Sequence, residues 1–117
     1  MPVQMFELPG CTSCRHAAAW LHTQGVPYER RHVWNEHPTR AELTALAARL
    51  PGGAQALLSR RSRRFRELGL EGREFTEDGL LDLLAREPRL LRRPIIFDGQ
   101  RVIVGFDRAA LQTSFGR

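Results

Sequence analysis

The chain contains no lysine and only two cysteines, and its apolar runs are short. Two cysteines cannot build the multi-bridge framework of a small secreted scaffold. No run approaches the ~18 apolar residues of a membrane helix, and no basic-then-apolar leader opens the chain, so a cytoplasmic protein without membrane association is expected. Arginine stands wherever lysine could: all 18 basic residues are arginine, against 13 acidic ones, for a net charge of +5 and a pI near 10.8. The abundance of alanine, leucine and glycine fits a GC-rich coding bias, so the absence of lysine itself says little about function. What arginine supplies is a fixed, planar fork for carboxylates, phosphates and similar oxyanions. No groove-reading helix motif or row of stacking aromatics accompanies the charge, so direct nucleic-acid binding is not expected. With 117 residues, 42% hydrophobic and 26% charged, one globular domain spanning 1–117 and acting as a monomer is expected.

Val3–Leu8 reads as a strand and Arg15–Gln24 as a helix, stopped by Gly25 and Pro27. Tyr28–Trp34 reads as a second strand, parallel to the first through a right-handed crossover. Thr39 and Glu42 form a capping box ahead of Leu43, Leu46, Ala47 and Leu50, and Pro51-Gly52-Gly53 ends that helix. Ala54–Leu58 suggests another short helix, and Thr76 caps a further one limited by Pro88. Pro94–Phe97 and Arg101–Val104 are strands joined at Asp98-Gly99, a hairpin signal. Asp107 caps a last helix. The order is β-α-β, then helices over about 39–87, then a hairpin and a helix. This predicts an α/β, thioredoxin-like fold with a helical insertion.

Cys11-Thr12-Ser13-Cys14 is the most informative stretch. The first strand ends at Pro9-Gly10 just before it, and a helix begins just after. A thiol at a helix N-terminus sits beside unpaired backbone N–H groups and the positive end of the dipole, which favours the thiolate. Cys11 is therefore expected to be the nucleophile, and Cys14, one turn along, the resolving thiol. Zinc ligation with His32 and His37 competes with this reading. The Cys14–His32 interval of 17 residues, however, exceeds the usual ~12–15 and holds a whole amphipathic helix. No metal is expected. His16, His22, His32 and His37 show no convergent pattern, and Trp20 and Trp34 read as packing residues. Arg60, Arg63 and Arg64 read as a solvated surface.

Cys11-Thr12-Ser13-Cys14-Arg15, Ser59-Arg60-Arg61-Ser62, Leu90-Leu91-Arg92-Arg93-Pro94-Ile95-Ile96 and Val104-Gly105-Phe106 follow one another along the chain. With these segments it resembles the arsenate reductase (ArsC) family, including its Spx/MgsR-like branch of redox regulators. The resemblance covers nearly the whole length. It implies a nucleophilic Cys11, oxyanion arginines at Arg61 and Arg93, and a cis-proline at Pro94. Thr12, Ser13 and Arg15 are expected to complete the substrate-binding set with Arg61, Arg93 and Pro94. Two departures stand out. Glutathione-coupled members carry a third arginine where this chain reads Val104-Gly105-Phe106-Asp107, and they commonly lack the second cysteine that regulators of the Spx type possess.

Two functions follow from the resemblance. The leading one is a thiol-dependent oxidoreductase that reduces arsenate to arsenite. Cys11 attacks the arsenic while Arg61 and Arg93 neutralise the oxygens. Cys14 then resolves the adduct as a Cys11–Cys14 disulfide. No resident cofactor is required, only an external reductant, thioredoxin or glutathione with glutaredoxin. The alternative is an Spx/MgsR-like transcriptional regulator, in which the same disulfide switches binding to the RNA polymerase α-subunit and Arg93 and the surface around Gly53 face the polymerase.

Overall fold

One mixed sheet is built from β1 (Val3–Glu7), β2 (Tyr28–His32), β3 (Ile95–Phe97) and β4 (Val102–Val104), in the spatial order β2-β1-β3-β4. The computed structural model describes residues 2–116. Its helices are α1 (Thr12–Thr23), α2 (Arg40–Ala47), α3 (Arg63–Glu67), α4 (Glu77–Arg86) and α5 (Arg108–Phe115), with 3₁₀ turns at Gly53–Leu57 and Pro88–Leu90. The chain divides into two compact units. One runs to Val33 and resumes at Arg93; the other is Trp34–Arg92.

In the first unit β1 pairs in parallel with β2 from Val3↔Tyr28 to Glu7↔His32, and antiparallel with β3 at Gln4↔Phe97, Met5↔Ile96 and Phe6↔Ile95. The second strand is shorter than the expected Tyr28–Trp34 because its template ends. The Val33 N–H makes one last bond to the Glu7 carbonyl, at 3.1 Å, and Trp34 then leaves the sheet. As an edge strand β2 carries charge: Arg30 meets Glu7 at 3.1 Å and the Arg31 guanidinium lies 5.4 Å from the Phe6 ring centroid. Such charge discourages edge-to-edge pairing.

Helix α1 turns Cys14, Ala17, Ala18 and Leu21 inward, the three-to-four spacing of a helix face. Ala17, Ala18 and Leu21 pack with Met5, Ile96, Ile103 and Leu111, and Trp20, Tyr28, Phe106 and Phe115 border that cluster. Each large apolar side chain buried there stabilises the unit by about 1.5–3 kcal/mol.

In the second unit α2 and α4 bury Leu43, Leu46 and Ala47 together with Leu80, Leu81 and Leu84. The capping box is present: the Glu42 N–H donates to Thr39 Oγ1 at 3.1 Å and the Thr39 N–H to Glu42 Oε1 at 2.9 Å. Helix α2 stops at Ala47 rather than near Leu50, because Arg49 and Leu50 turn to carbonyls three residues back. Glu77 of α4 accepts from the Ala54 N–H at 3.0 and 3.2 Å, and Arg40 of α2 reaches Asp82 at 2.5 Å and Asp78 at 3.2 Å.

Two local features were not expected. Ser62 caps the short α3, accepting from the Phe65 N–H at 3.1 Å. A single antiparallel bridge joins Leu58 to Leu91. Arg64 corrects the expectation of a solvated surface: it is half-buried, and its Nε donates to Glu87 Oε1 at 2.9 Å. Arg60 and Arg63 are exposed.

Candidate functional site

The loop after β1 sets the cysteine pair. Gly10 adopts a left-handed φ of 80°, which glycine tolerates without steric cost. The Cys11 N–H closes this turn on the Leu8 carbonyl at 3.3 Å. Cys11 thereby becomes the N-cap of α1, and its Sγ accepts from the Cys14 N–H at 3.2 Å. The sulfur plays the part that a serine or aspartate oxygen plays at other helix starts.

The two thiols are placed unequally. Cys11 is half-buried, while Cys14 lies three residues further, on the inward face, with 1% of its surface exposed. Burial, and then the hydrogen bond with the Cys11 side chain, pushes the Cys14 thiol up from an ordinary 9.0 to about 12. Cys14 is thus held as the neutral thiol. Both cysteines are free, and the side chains lie within hydrogen-bonding reach.

Thr12, Ser13 and Arg15 are exposed on the first turn, where Arg15 Nη2 donates to Thr12 Oγ1 at 3.3 Å. The Phe6↔Ile95 pairing brings Arg93 and Pro94 alongside the end of β1 that leads into Cys11. The Arg93–Pro94 bond is cis, as the motif implied, and the Pro94 carbonyl accepts from the Gly105 N–H at 2.8 Å. Arg93 is half-buried, and its Nε is the one solvent-excluded side-chain nitrogen or oxygen without a hydrogen-bond partner among the described residues. A buried charged donor left without an acceptor is costly, so such a group is a candidate to meet an anion. Arg61 belongs to the other unit; its side chain is exposed and its carbonyl accepts from Arg66 Nη1 at 3.3 Å.

Phe106 occupies the stretch where glutathione-coupled reductases place their third arginine. It is half-buried, packs against the core cluster, and faces His16 with ring centroids 5.6 Å apart. Asp107 follows and caps α5, accepting from the Ala110 N–H at 3.0 Å. His16 therefore has a specific partner that its sequence context did not announce. Trp34, expected as a packing residue, is 50% exposed. Among the described residues no group of three or more His, Cys, Asp or Glu side chains could hold a metal ion, and no helix is long and apolar enough to cross a membrane.

A mixed α/β sheet with a CxxC at the first helix and a cis-proline entering the third strand defines the thioredoxin-like class. Within that class, the model of the ArsC family matches residues 6–114, and the chain belongs to the ArsC family. Among curated proteins it is 36% identical over 106 residues to the regulatory protein MgsR of Bacillus subtilis (strain 168), covering 91% of this chain and 84% of that protein. It is also 36% identical over 115 residues to the global transcriptional regulator Spx of a Streptococcus pyogenes serotype M6 strain, covering 98% and 86%. Among solved structures, an ArsC family related protein from Bacteroides fragilis superposes with a TM-score of 0.89 at 26% identity, over 97% of each chain. An arsenate reductase from Vibrio cholerae gives 0.82 at 24% identity over 98% of each, a likeness of fold.

Proposed function

We propose that the protein is a thiol-based redox regulator of the Spx/MgsR type, with the Cys11–Cys14 pair as its switch. The observation that carries this reading is the pairing of a half-buried N-cap sulfur with a buried neutral thiol in hydrogen-bonding reach. Under peroxide, the Cys11 thiolate attacks one oxygen, hydroxide leaves, and a sulfenic acid forms. The Cys14 sulfur then attacks Cys11 and water departs. From the Cys11 thiolate and the Cys14 thiol, the protein loses two electrons and one proton, and the peroxide ends as hydroxide and water. The buried position of Cys14 suits a resolving thiol, since it meets few outside electrophiles but is always beside Cys11. Regulatory names attach to the two curated relatives described, and the stretch Val104-Gly105-Phe106-Asp107 holds no third oxyanion arginine. The target in this reading is the RNA polymerase α-subunit.

Arg93 favours a second reading, arsenate reduction. Its unpartnered buried Nε is a donor suited to an oxyanion oxygen, and Cys11 would supply the sulfur nucleophile. Arg61 enters this reading through its motif alone.

One comparison separates the two. Arsenate turnover is measured with thioredoxin and with glutathione plus glutaredoxin, beside binding of oxidised and reduced protein to the polymerase α-subunit. The regulator reading expects negligible turnover with either reductant and α-subunit binding that depends on the disulfide and is lost in Cys11→Ser. Sustained turnover abolished by Cys11→Ser, with no redox-dependent binding, would overturn it in favour of the enzyme. Cys14→Ser then reports the reductant, because glutathione can attack a Cys11 adduct directly whereas thioredoxin coupling needs the internal disulfide.

A further inference from the structure

Trp34 is the exposed large hydrophobic side chain among the described residues, with 50% of its surface open. Tryptophan and arginine are the residues most enriched among the energetic anchors of protein interfaces. Here the two occur together. The Arg89 guanidinium carbon stands 5.8 Å from the Trp34 ring centroid, within cation–π range. Trp34, His37, Arg86, Glu87, Pro88 and Arg89 line a cavity of about 440 Å³. Its one carboxylate is already engaged, since Arg64 donates from Nε to Glu87 Oε1 at 2.9 Å and from Nη2 to Oε2 at 3.3 Å. Arg86 and Arg89, both exposed, therefore leave the cavity positive.

We propose that this cavity docks an acidic segment of a protein partner. Aspartate or glutamate carboxylates engage Arg86 and Arg89, and an apolar side chain beside them packs on the exposed indole of Trp34. Charge complementarity selects this occupant: the cavity offers two forked cations beside an aromatic surface, and the whole chain carries +5. Single-stranded nucleic acid suits it less well. Such ligands are held by successive stacking platforms along a basic groove, whereas this cavity has one large aromatic side chain and includes the Glu87 carboxylate. The surface lies in the Trp34–Arg92 unit, which holds neither cysteine. The inference goes beyond the redox reading and does not depend on it.

The test uses the full chain and three fluorescein-labelled probes: a decapeptide of glutamates and leucines, the same peptide with lysine for glutamate, and a ten-nucleotide oligothymidylate. Fluorescence anisotropy should show saturable binding of the glutamate peptide, weakened by salt, and none of the lysine peptide. Trp34→Ala and the double variant Arg86→Ala/Arg89→Ala should each weaken binding at least about tenfold, as loss of an interface anchor does. Trp34→Phe should recover part of the affinity. Unchanged Cys11 alkylation rates and circular dichroism in the variants would show that the fold is intact. Absence of saturable binding by the glutamate peptide, or equal binding by folded variants, would overturn the proposal. Tighter binding of the oligothymidylate would overturn it too, reassigning the patch to nucleic acid.

Discussion

Iodoacetamide labelling of Cys14 in the native and the urea-unfolded protein tests the asymmetry of the thiol pair. Only the thiolate alkylates at an appreciable rate. Raising Cys14 from 9.0 to about 12 cuts its thiolate fraction about a thousandfold at pH 7. Intrinsic nucleophilicity rises with pKa along a slope of ~0.4–0.5, which gives back about 15–30-fold. A native protection of at least about thirtyfold therefore remains before access is considered, and a side chain with 1% exposure reduces access further. Peptide mapping by mass spectrometry reads both cysteines in one sample, with half-buried Cys11 as the internal reference. Cys11→Ala should leave most of the protection in place, because burial outranks the hydrogen bond with Cys11 among its causes. Native protection of Cys14 below about fivefold would refute the reasoning, since neither desolvation nor the neighbouring sulfur could then be acting as described.

Three further outcomes follow from the same contacts. Cys14 stays protonated in the folded chain up to about 12 but ionises from 9.0 once unfolded. The unfolded state binds fewer protons in that window, so this contribution to stability is intact below pH 9 and lost as pH climbs toward 12. Urea midpoints should fall more steeply across it in the wild type than in Cys14→Ala. Thr39→Ala removes the reciprocal cap of α2 and should cost about 0.5–2 kcal/mol, with Thr39→Ser close to neutral. Gly53→Ala places a Cβ 2.6 Å from Glu77 Oε2 on a residue with a φ of 59°; it should destabilise by about 1–3 kcal/mol, and a double-mutant cycle with Glu77→Ala should recover the clash but not the backbone share.

Much of this fold is written locally. The CxxC after Pro9-Gly10, the Thr39 and Glu42 pair, Thr76 ahead of α4 and Asp98-Gly99 in the hairpin are short-range signals, and each element formed where its signal lies. What escaped the sequence depends on distant partners. Arg64 looks like any member of a basic run until Glu87, 23 residues away, is folded beside it. The Leu58–Leu91 bridge pairs residues far apart in sequence, and no propensity announces a one-rung ladder. The end of β2 at His32 is set by the end of β1 rather than by its own β-rich residues. Trp34 was misplaced for the same reason, since an aromatic just past an inward-facing valine continues the pattern of a strand that has already stopped.

The unequal thiols have the opposite origin, because three-residue spacing is enough to produce them. A side chain at the N-cap lies outside the helical barrel, and the residue three positions on lies on the stripe that continues through Ala17, Ala18 and Leu21. Burying that stripe against the sheet must bury Cys14 and spare Cys11. A two-residue spacer at a helix start therefore builds one accessible sulfur and one shielded, protonated sulfur from identical residues. Arg93 cannot be derived in this way. Its motif identifies it, but the place of its unpartnered Nε depends on the pairing of β3 with β1, which sets half-buried Arg93, just ahead of β3, beside the end of β1. The asymmetry of the pair is encoded within one turn of helix, whereas the Arg93–Pro94 segment is set beside the end of β1 by a pairing of residues some ninety positions apart.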